Sequence, residues 1–226
     1  RRLRETTRPD LRLGVMSATL DPAAVSAYLE APVLRAEGRV YPVDIDYEPG
    51  ETQAPVWERA ADAARRWLDG AADGNALVFM PGAFEIRRTL DACRRRLLPS
   101  DGPVEVLPLY GSLSAEDQRR AVAPAENRKI IVATNVAETS ITIEGVRCVI
   151  DAGLARVHRF DPNRGVNTLL IERISLASAE QRAGRAGRTA PGVCLRLWSR
   201  SEAHARPSRD TPEVARVDLS EAVLTL

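Results

Sequence analysis

Short runs of apolar residues alternate along the chain with longer segments in which apolar residues recur every third or fourth position. The short runs predict buried strands, and the longer segments predict helices with one apolar face. Strands are predicted at 76–80, 104–108, 130–133, 146–150 and 193–197. Helices are predicted at 56–68 and 86–97, and a third after a cap at Ser114. This alternation indicates an α/β fold with a parallel sheet and helices on both faces.

The segments before this alternating region have a different pattern. The first residues predict a short helix, a turn and then a buried strand at 11–16, which ends in the run Ser17-Ala18-Thr19. A proline-rich stretch from 31 to 55 predicts a linker and an edge strand, and we place a domain boundary there.

Two β-rich runs interrupt the alternation between the strand at 146–150 and the last predicted helix. Residues 154–160 and 166–174 flank a run of turn residues and predict a β-hairpin. Arg156, Arg159 and Arg164 give this hairpin a basic flank, and His158 is expected on its surface. Two interpretations stay open: the hairpin separates nucleic-acid strands, or it only covers a sheet edge.

Composition sets limits on these interpretations. The chain has 226 residues, 44% of them hydrophobic, enough for one large or two small domains with ordinary cores. No apolar run approaches the length of a membrane span or a signal peptide, so we expect a soluble, cytoplasmic protein without a membrane partner. The formal net charge of +1 means that any nucleic-acid binding must use a local patch.

Three cysteines, Cys93, Cys148 and Cys194, lie far apart in apolar surroundings. Their odd number and wide spacing predict reduced core thiols rather than disulfides or metal ligands. No metal site is predicted within this chain.

The octet from Gln181 to Arg188 is the most unusual stretch. Ser178 and Gln181 have capping-box spacing, which predicts a helix that starts at Ser178 and contains the octet. On such a helix Gln181, Arg185 and Arg188 share a face suited to anionic oxygens, while Arg182 points elsewhere.

A solvated basic helix is the alternative interpretation of the octet, because arginine is common here: of 32 basic residues only Lys129 is lysine. Gly184 and Gly187 disfavour a helix, each by about 1 kcal/mol relative to alanine. Close approach of another backbone or a ligand would explain them.

The octet resembles motif VI of the superfamily 2 helicases. Residues 134–145 resemble motif V of the DEAH-box helicases, 77–82 their motif IV, 108–113 the loop that follows it, and 17–19 their motif III. The order and spacing match a second RecA-like domain over nearly the whole chain. The ending Pro81-Gly82 is most similar to the bacterial HrpB-type branch of DEAH-box ATP-dependent RNA helicases.

The resemblance implies the second motor domain of an ATP-dependent RNA helicase, with a RecA-like fold and an inserted hairpin. It assigns catalytic roles to Gln181, Arg185 and Arg188, with the two arginines acting on the γ-phosphate of ATP. The residues that it places at ATP are Ser140, Thr142, Glu144, Gln181, Arg185 and Arg188.

The residues that the resemblance places at RNA are Gly82, Gly111, Ser112, Thr134 and Asn135. Small polar residues at strand ends can hydrogen-bond phosphate oxygens without reading a base, although the same residues also serve as caps and turns. This chain departs from many relatives at Glu144, where they have aspartate, and at Val122, where they have an aromatic residue. We expect weak selectivity for the nucleotide base, because valine cannot stack on it.

The resemblance also divides the chain. Its four segments are the end of a first RecA-like domain at 1–32, a linker with an edge strand at 33–55, the second RecA-like domain at 56–205, and the start of a truncated, winged-helix-like region at 206–226.

The chain has no Gly-x-x-x-x-Gly-Lys-Ser/Thr loop and no Asp-Glu-x-His segment after a strand. The phosphate loop and the ligands of the Mg²⁺ that accompanies ATP are therefore expected on a preceding domain, and this chain alone should not hydrolyse ATP. Expected partners are single-stranded or duplex RNA, with DNA as the alternative, and the first RecA-like domain in cis. The protein is expected to be a monomer. The alternative is a non-catalytic nucleic-acid or protein-binding module that retains the fold.

Overall fold

The computed structural model describes residues 2–16, 22–35, 41–48, 53–70, 73–139 and 141–225. The chain divides into two units, Arg1–Arg39 and Val40–Leu226. The described residues of the first unit form two helices, α1 (Arg2–Thr6) and α2 (Pro22–Leu29).

The strand predicted at 11–16 is wrong. These residues form no regular element, and Met16 is 97% exposed. A strand needs a neighbour to satisfy its backbone groups, and the described residues of the first unit contain no other strand. Ser17, Ala18 and Thr19 lie outside the described residues.

The second unit contains the alternating region. Its elements, in chain order, are β1 (Val43–Tyr47), α3 (Val56–Asp69), β2 (Asn75–Phe79), α4 (Ala83–Arg96), β3 (Val104–Leu109), α5 (Ala115–Val122), β4 (Arg128–Ala133), β5 (Val146–Asp151), β6 (Leu154–Asp161), β7 (Val166–Arg173), α6 (Leu176–Ala183), β8 (Gly192–Arg196), α7 (Arg200–His204) and α8 (Ser220–Thr225). Ser114 caps α5 as predicted, since its hydroxyl accepts a hydrogen bond from the backbone N–H of Asp117.

Six strands form one sheet in the order β1-β8-β5-β2-β4-β3, and every neighbouring pair is parallel. β1 is an edge strand, as the proline-rich segment predicts. β6 and β7 form a separate antiparallel hairpin. The predicted fold class, a RecA-like parallel sheet with helices on both faces and an inserted hairpin, is confirmed.

Each sheet face has its own apolar core, because alternate residues of a strand point to opposite faces. On one face Val78 and Ile150 pack with α3 and α4. On the other face Leu77 and Val149 pack with α5 and α6. The central strands are apolar on both faces for this reason, which explains their continuous hydrophobic runs.

The three cysteines are free and buried, as predicted. Burial raises the pKa of Cys93 and of Cys194 to about 12, so both stay protonated at neutral pH. Among the described helices, the longest have 14 residues. No helix in this part of the chain is long and apolar enough to cross a membrane.

The helix that carries the start of the octet differs from the prediction. Ser175, not Ser178, is the cap of α6, and its hydroxyl accepts a hydrogen bond from the Ser178 N–H at 3.1 Å. The helix ends at Ala183, inside the octet. The following residues form tight turns, with the Arg185 N–H donating to the Arg182 carbonyl at 3.1 Å. Gln181, Arg185 and Arg188 therefore do not lie on one continuous helix.

Gly187 lies where the end of the octet meets the segment before β1. Its carbonyl accepts a hydrogen bond from the Tyr41 N–H at 2.9 Å, just before β1 begins. A Cβ atom on Gly187 would lie 2.5 Å from the Tyr41 carbonyl oxygen. The expected close approach of a backbone is therefore present, and it joins the end of the octet to the edge of the sheet.

The substitution Gly187→Ala should destabilise the second unit by about 1–3 kcal/mol, because the new methyl group overlaps the backbone of Tyr41. Denaturant-induced unfolding of the purified chain measures this change. Gly184→Ala is the matched control, since its Cβ would lie 3.4 Å from the nearest atom, the Glu180 carbonyl oxygen, with ordinary contact. Equal stability of the two variants would contradict the packing that we describe.

Candidate functional site

The residues nominated for RNA follow three adjacent strands at the carboxyl edge of the sheet. Gly82 follows β2, Thr134 follows β4, and Gly111 and Ser112 follow β3. Backbone hydrogen bonds join these strand ends: the Met80 N–H donates to the Ala133 carbonyl at 2.8 Å. The carboxyl edge is where parallel α/β sheets place ligands. The structure therefore brings four of the nominated residues to one edge.

Gly82 is buried beneath the hairpin. A Cβ atom at this position would lie 2.5 Å from Nε of Arg156, a residue of β6. Arg156 is itself partly exposed and lies 4.0 Å from Glu85 in an ion pair. The exposed cation at this point of the edge is Arg156, which the sequence suggested only as part of a basic flank.

The segment after β4 begins as a capped turn. Thr134 Oγ1 accepts a hydrogen bond from the Val136 N–H at 3.5 Å, and residues 135–137 form one turn of 3₁₀-helix. Asn135 is exposed, whereas Ala137 is buried in the core. Part of the polar character of this segment is thus structural, as the alternative interpretation of caps and turns expected, but the Asn135 side chain is presented to solvent.

Arg185 holds the next part of this segment by its backbone. Its Nε donates to the Glu138 carbonyl at 2.9 Å, and its terminal nitrogens donate to the carbonyls of Glu138 and Ile141. Burial, and then the nearby charge of Arg188, lower the pKa of Arg185 to about 10. At neutral pH the guanidinium remains charged, and in this conformation its donors are committed to carbonyl oxygens.

Arg188 has the exposed guanidinium of the pair. Its terminal nitrogen donates to the Thr142 hydroxyl at 3.2 Å, and both side chains face solvent. Glu144 is also exposed, two residues further along the chain. Gln181 is half-exposed on α6, and Ser140 lies outside the described residues. The structure thus brings Thr142, Arg185 and Arg188 together.

The nominated residues therefore form two groups rather than one. Arg188 lies four residues before β8 and Thr142 four residues before β5, so this group approaches the amino ends of those strands. The RNA group lies at the carboxyl ends of β2, β3 and β4. Residues 134–145 connect the two groups along the chain.

A buried ionic cluster lies at the carboxyl ends of β2 and β5, and it was missed from the sequence. The Arg182 side chain is 1% exposed and donates to Glu138 Oε2 at 2.9 Å and to Asp151 Oδ1 at 2.8 Å. It also donates to the Leu154 carbonyl at 3.2 Å and packs over the ring of Phe79. Desolvation lowers the pKa of Arg182, but the two carboxylates outweigh it, and the net direction is upward.

No signal in the sequence pointed to these partners of Arg182. Glu138 lies 44 residues and Asp151 lies 31 residues before Arg182 in the chain. Both acids fall in segments whose local pattern predicts only a loop and a strand end. The prediction that Arg182 points away from the shared arginine face agrees with its burial.

This arrangement suits an oxyanion with several oxygens. An exposed guanidinium beside a hydroxyl offers charge and directional donors to a phosphate, and the buried Arg185 fixes the loop that carries the hydroxyl. The residues present therefore fit the phosphate end of a nucleotide. Among the described residues, no group of three or more His, Cys, Asp or Glu side chains could hold a metal ion.

Val122 ends α5 and is half-buried against the core. Val122 contributes to the apolar face of α5. The weak base selectivity inferred from this position stays a prediction.

Comparisons with known proteins agree with this geometry. The sequence model of the helicase conserved C-terminal domain matches residues 60–190. The chain is 43% identical over 225 residues to the ATP-dependent RNA helicase HrpB of Escherichia coli K12, covering 97% of this chain and 27% of that protein. It is 41% identical over 224 residues to HrpA of the same strain, covering 97% of this chain and 17% of that protein.

Solved structures give the same result. The crystal structure of the E. coli DExH-box NTPase HrpB matches with a TM-score of 0.86 at 41% identity, over 99% of this chain and 28% of that one. A second crystal structure, of the E. coli DEAH/RHA helicase HrpB, matches with a TM-score of 0.89 over the same shares. This chain spans 27% of the length of HrpB. The matched residues 60–190 include most of the sheet, Arg185, Arg188 and the loop that Arg185 holds. The chain therefore belongs to the family of helicase conserved C-terminal domains.

Proposed function

We propose that this chain is the second motor domain of a DEAH-box ATP-dependent RNA helicase, which couples ATP hydrolysis to movement along RNA and unwinding. One observation carries the proposal: Arg185 donates to the carbonyls of Glu138 and Ile141, and Arg188 donates to the Thr142 hydroxyl beside them. Motifs that are distant in sequence are thereby assembled into one surface that can bind phosphate.

In the proposed mechanism Arg188 binds and neutralises the γ-phosphate end of ATP, and Thr142 hydrogen-bonds to it. Bound ATP supplies the phosphoryl group that is transferred to water. Arg185 is assigned to the same phosphate, as the resemblance implies, and it holds the carbonyls of Glu138 and Ile141 in place. Gln181 is proposed to bind ATP at the same site. Glu144 is proposed to lie near the ribose, as the resemblance implies, and Ser140 is assigned to the same side.

Other parts of the reaction are proposed to lie outside this chain. The phosphate loop and the Mg²⁺ ligands belong, in this proposal, to a first RecA-like domain in cis. Domain closure over the nucleotide then brings Arg188 to the phosphate, and opening after hydrolysis releases it. The protein is proposed to act as a monomer in the cytoplasm, where three buried, unpaired cysteines stay reduced.

RNA is proposed to run along the carboxyl edge. Gly111 and Ser112 are exposed in the loop after β3, and Gln118 Nε2 holds that loop by donating to the Leu113 carbonyl at 3.0 Å. Asn135 is exposed next to it, and Thr134 and Gly82 border the same edge. These groups suit a sugar-phosphate backbone and do not by themselves distinguish RNA from DNA.

The hairpin is proposed to separate strands. Its base is fixed, because Arg182 donates to the Leu154 carbonyl. Its far end is also fixed: the Phe160 N–H donates to the Arg216 carbonyl at 2.8 Å, and Asn167 exchanges hydrogen bonds with the backbone of Asp218. A hairpin held at both ends can resist the pull of a duplex, and its arginines can contact the displaced phosphates.

Arg188→Ala in the full-length protein should lower ATP turnover by on the order of a thousandfold, the scale of arginine fingers, because charge on the phosphate is left uncompensated. Steady-state kcat measured with saturating RNA tests this. Arg120→Ala is the control, since Arg120 is another exposed arginine, whose side chain pairs with Glu105. Turnover within a few fold of wild type in Arg188→Ala would refute the assignment.

The 226-residue chain alone should show no ATP hydrolysis above background, because the proposed phosphate loop and metal ligands lie elsewhere. It should bind single-stranded RNA weakly, with affinity falling as salt rises, because the contacts are mainly to phosphate. Turnover that persists in the chain alone, and is lost with Arg188→Ala, would contradict the proposed division of labour.

Replacing Phe160–Asn167 by a short Gly-Ser turn in the full-length protein should reduce duplex unwinding while RNA-stimulated ATP hydrolysis largely survives. The reason is that the base contact at Leu154 and the arginine site remain intact. Unwinding of a tailed RNA duplex and ATP turnover are measured on the same preparations.

Asn167→Ala is the matched control for this replacement. It removes the contacts with Asp218 but keeps the hairpin, and so separates loss of anchoring from loss of the hairpin itself. Equal loss of unwinding and hydrolysis in the hairpin replacement, or loss of folding, would favour a hairpin that only covers an edge.

A further inference from the structure

Two aromatic rings and one guanidinium meet at the surface where α3 and α4 begin. The rings of Trp57 and Phe84 lie 5.9 Å apart with their planes almost perpendicular. The guanidinium of Arg88 lies 5.7 Å from the centre of each ring. We refer to Trp57, Phe84 and Arg88 as the aromatic patch.

The aromatic patch borders the carboxyl edge of the sheet. Phe84 lies in the first turn of α4, two residues after Gly82 and five after the end of β2. Trp57 is the second residue of α3, which leads into β2 and so starts at the same edge. The patch is therefore continuous with the edge along which RNA is proposed to run.

Phe84 is unusual among the exposed residues of α4. Its side chain is 47% exposed, whereas the other exposed positions of this helix are all charged: Arg87, Arg88, Asp91, Arg94 and Arg95. The buried face of α4 packs on the sheet through Ile86, Leu90 and Cys93, so Phe84 is not needed for that contact. Phe84 and the half-buried Trp57 form a contiguous aromatic surface that the core does not use, which favours a binding role.

The chemistry of the aromatic patch fits an unpaired nucleobase. Aromatic faces and the planar guanidinium both stack on bases, and such stacking tolerates any base because every base has a π-face. The nearby charges complement nucleic acid: Arg88 and Arg156 are exposed, while Glu85 is largely covered and lies within ion-pair distance of Arg156. A protein partner would gain nothing from the adjoining phosphate-binding loops.

We infer that Trp57, Phe84 and Arg88 form a stacking platform for a base of single-stranded nucleic acid at the carboxyl edge. The inference rests on the proposed function and adds a contact of a different kind to it. Gly111, Ser112 and Asn135 contact the backbone, whereas the platform binds the face of a base. Affinity then depends on the presence of bases as well as on the number of phosphates.

Two oligomers of equal charge separate these contributions: a 12-nucleotide oligouridine RNA and an abasic 12-mer with the same number of phosphates. In the full-length protein, Phe84→Ala should weaken binding of oligouridine roughly tenfold, the scale of one lost stacking contact. Its affinity for the abasic oligomer should not change, and neither should the salt dependence of binding. Phe84→Tyr should keep wild-type affinity, since it retains an aromatic face.

Leu98→Ala is the matched control, because Leu98 is a 51% exposed apolar residue two positions beyond the other end of α4. Trp57 supplies a second measurement, which does not depend on the stability of any alanine variant. Oligouridine should quench its fluorescence and the abasic oligomer should not, and the change should disappear in Trp57→Phe.

The outcomes distinguish the inference from the function on which it rests. If wild-type protein binds oligouridine but Phe84→Ala binds it equally well and Trp57 is not quenched, the platform is wrong and the patch serves a protein partner or none. If wild-type protein binds neither oligomer and RNA does not stimulate its ATP turnover, the proposed function fails. Equal weakening of both oligomers by Phe84→Ala would also overturn the platform, because it would show a general disturbance of the edge.

Discussion

The buried charge of Arg182 is the constraint on which the rest of the site depends. A guanidinium with 1% of its surface exposed needs a counterion for its charge and acceptors for its N–H groups. Glu138 and Asp151 supply the negative charge and accept hydrogen bonds from Arg182. These carboxylates belong to the segment after β4 and to the end of β5, while Arg182 itself belongs to α6. Removal of one partner from such a cluster costs about 3–5 kcal/mol, because the remaining charge is left buried without its counterion. The cluster therefore fixes the relative positions of three segments that are far apart in the chain.

The arginines on either side of the cluster serve different purposes. Arg185 gives its hydrogen bonds to backbone carbonyls and shapes a loop, whereas Arg188 presents its charge to solvent. The two residues are the same type in the sequence, and their different roles follow from their burial: Arg185 is buried and Arg188 is exposed. Within seven positions, Arg182 forms a buried ionic cluster, Arg185 holds a loop by its backbone, and Arg188 is a surface cation.

The sequence predicted the sheet well because buried parallel strands are short apolar runs, and those at β2, β4 and β5 are unambiguous. The hairpin was also predictable, since turn residues separate its two runs. The start of α6 was not: Ser175 and Ser178 both suit a cap, and only the tertiary contact from the Ser178 hydroxyl to Glu138 at 2.8 Å decides between them. The strand at 11–16 failed because a local pattern cannot supply a neighbouring strand. The cover of Gly82 by Arg156 could not be predicted either, because it depends on where an inserted hairpin folds back.

The two attachments of the hairpin have a mechanical consequence. Arg182 supports it near Leu154, and the backbone around Arg216 and Asp218 supports it near Phe160 and Asn167. A beam that is supported at both ends bends far less under a given load than a cantilever of the same length. A force on the turn of the hairpin is then shared between the buried cluster around Arg182 and the segment that follows α7. The backbone around Arg216 and Asp218 would thus bear part of any force on the hairpin, although Asp218 lies 51 residues after its partner Asn167.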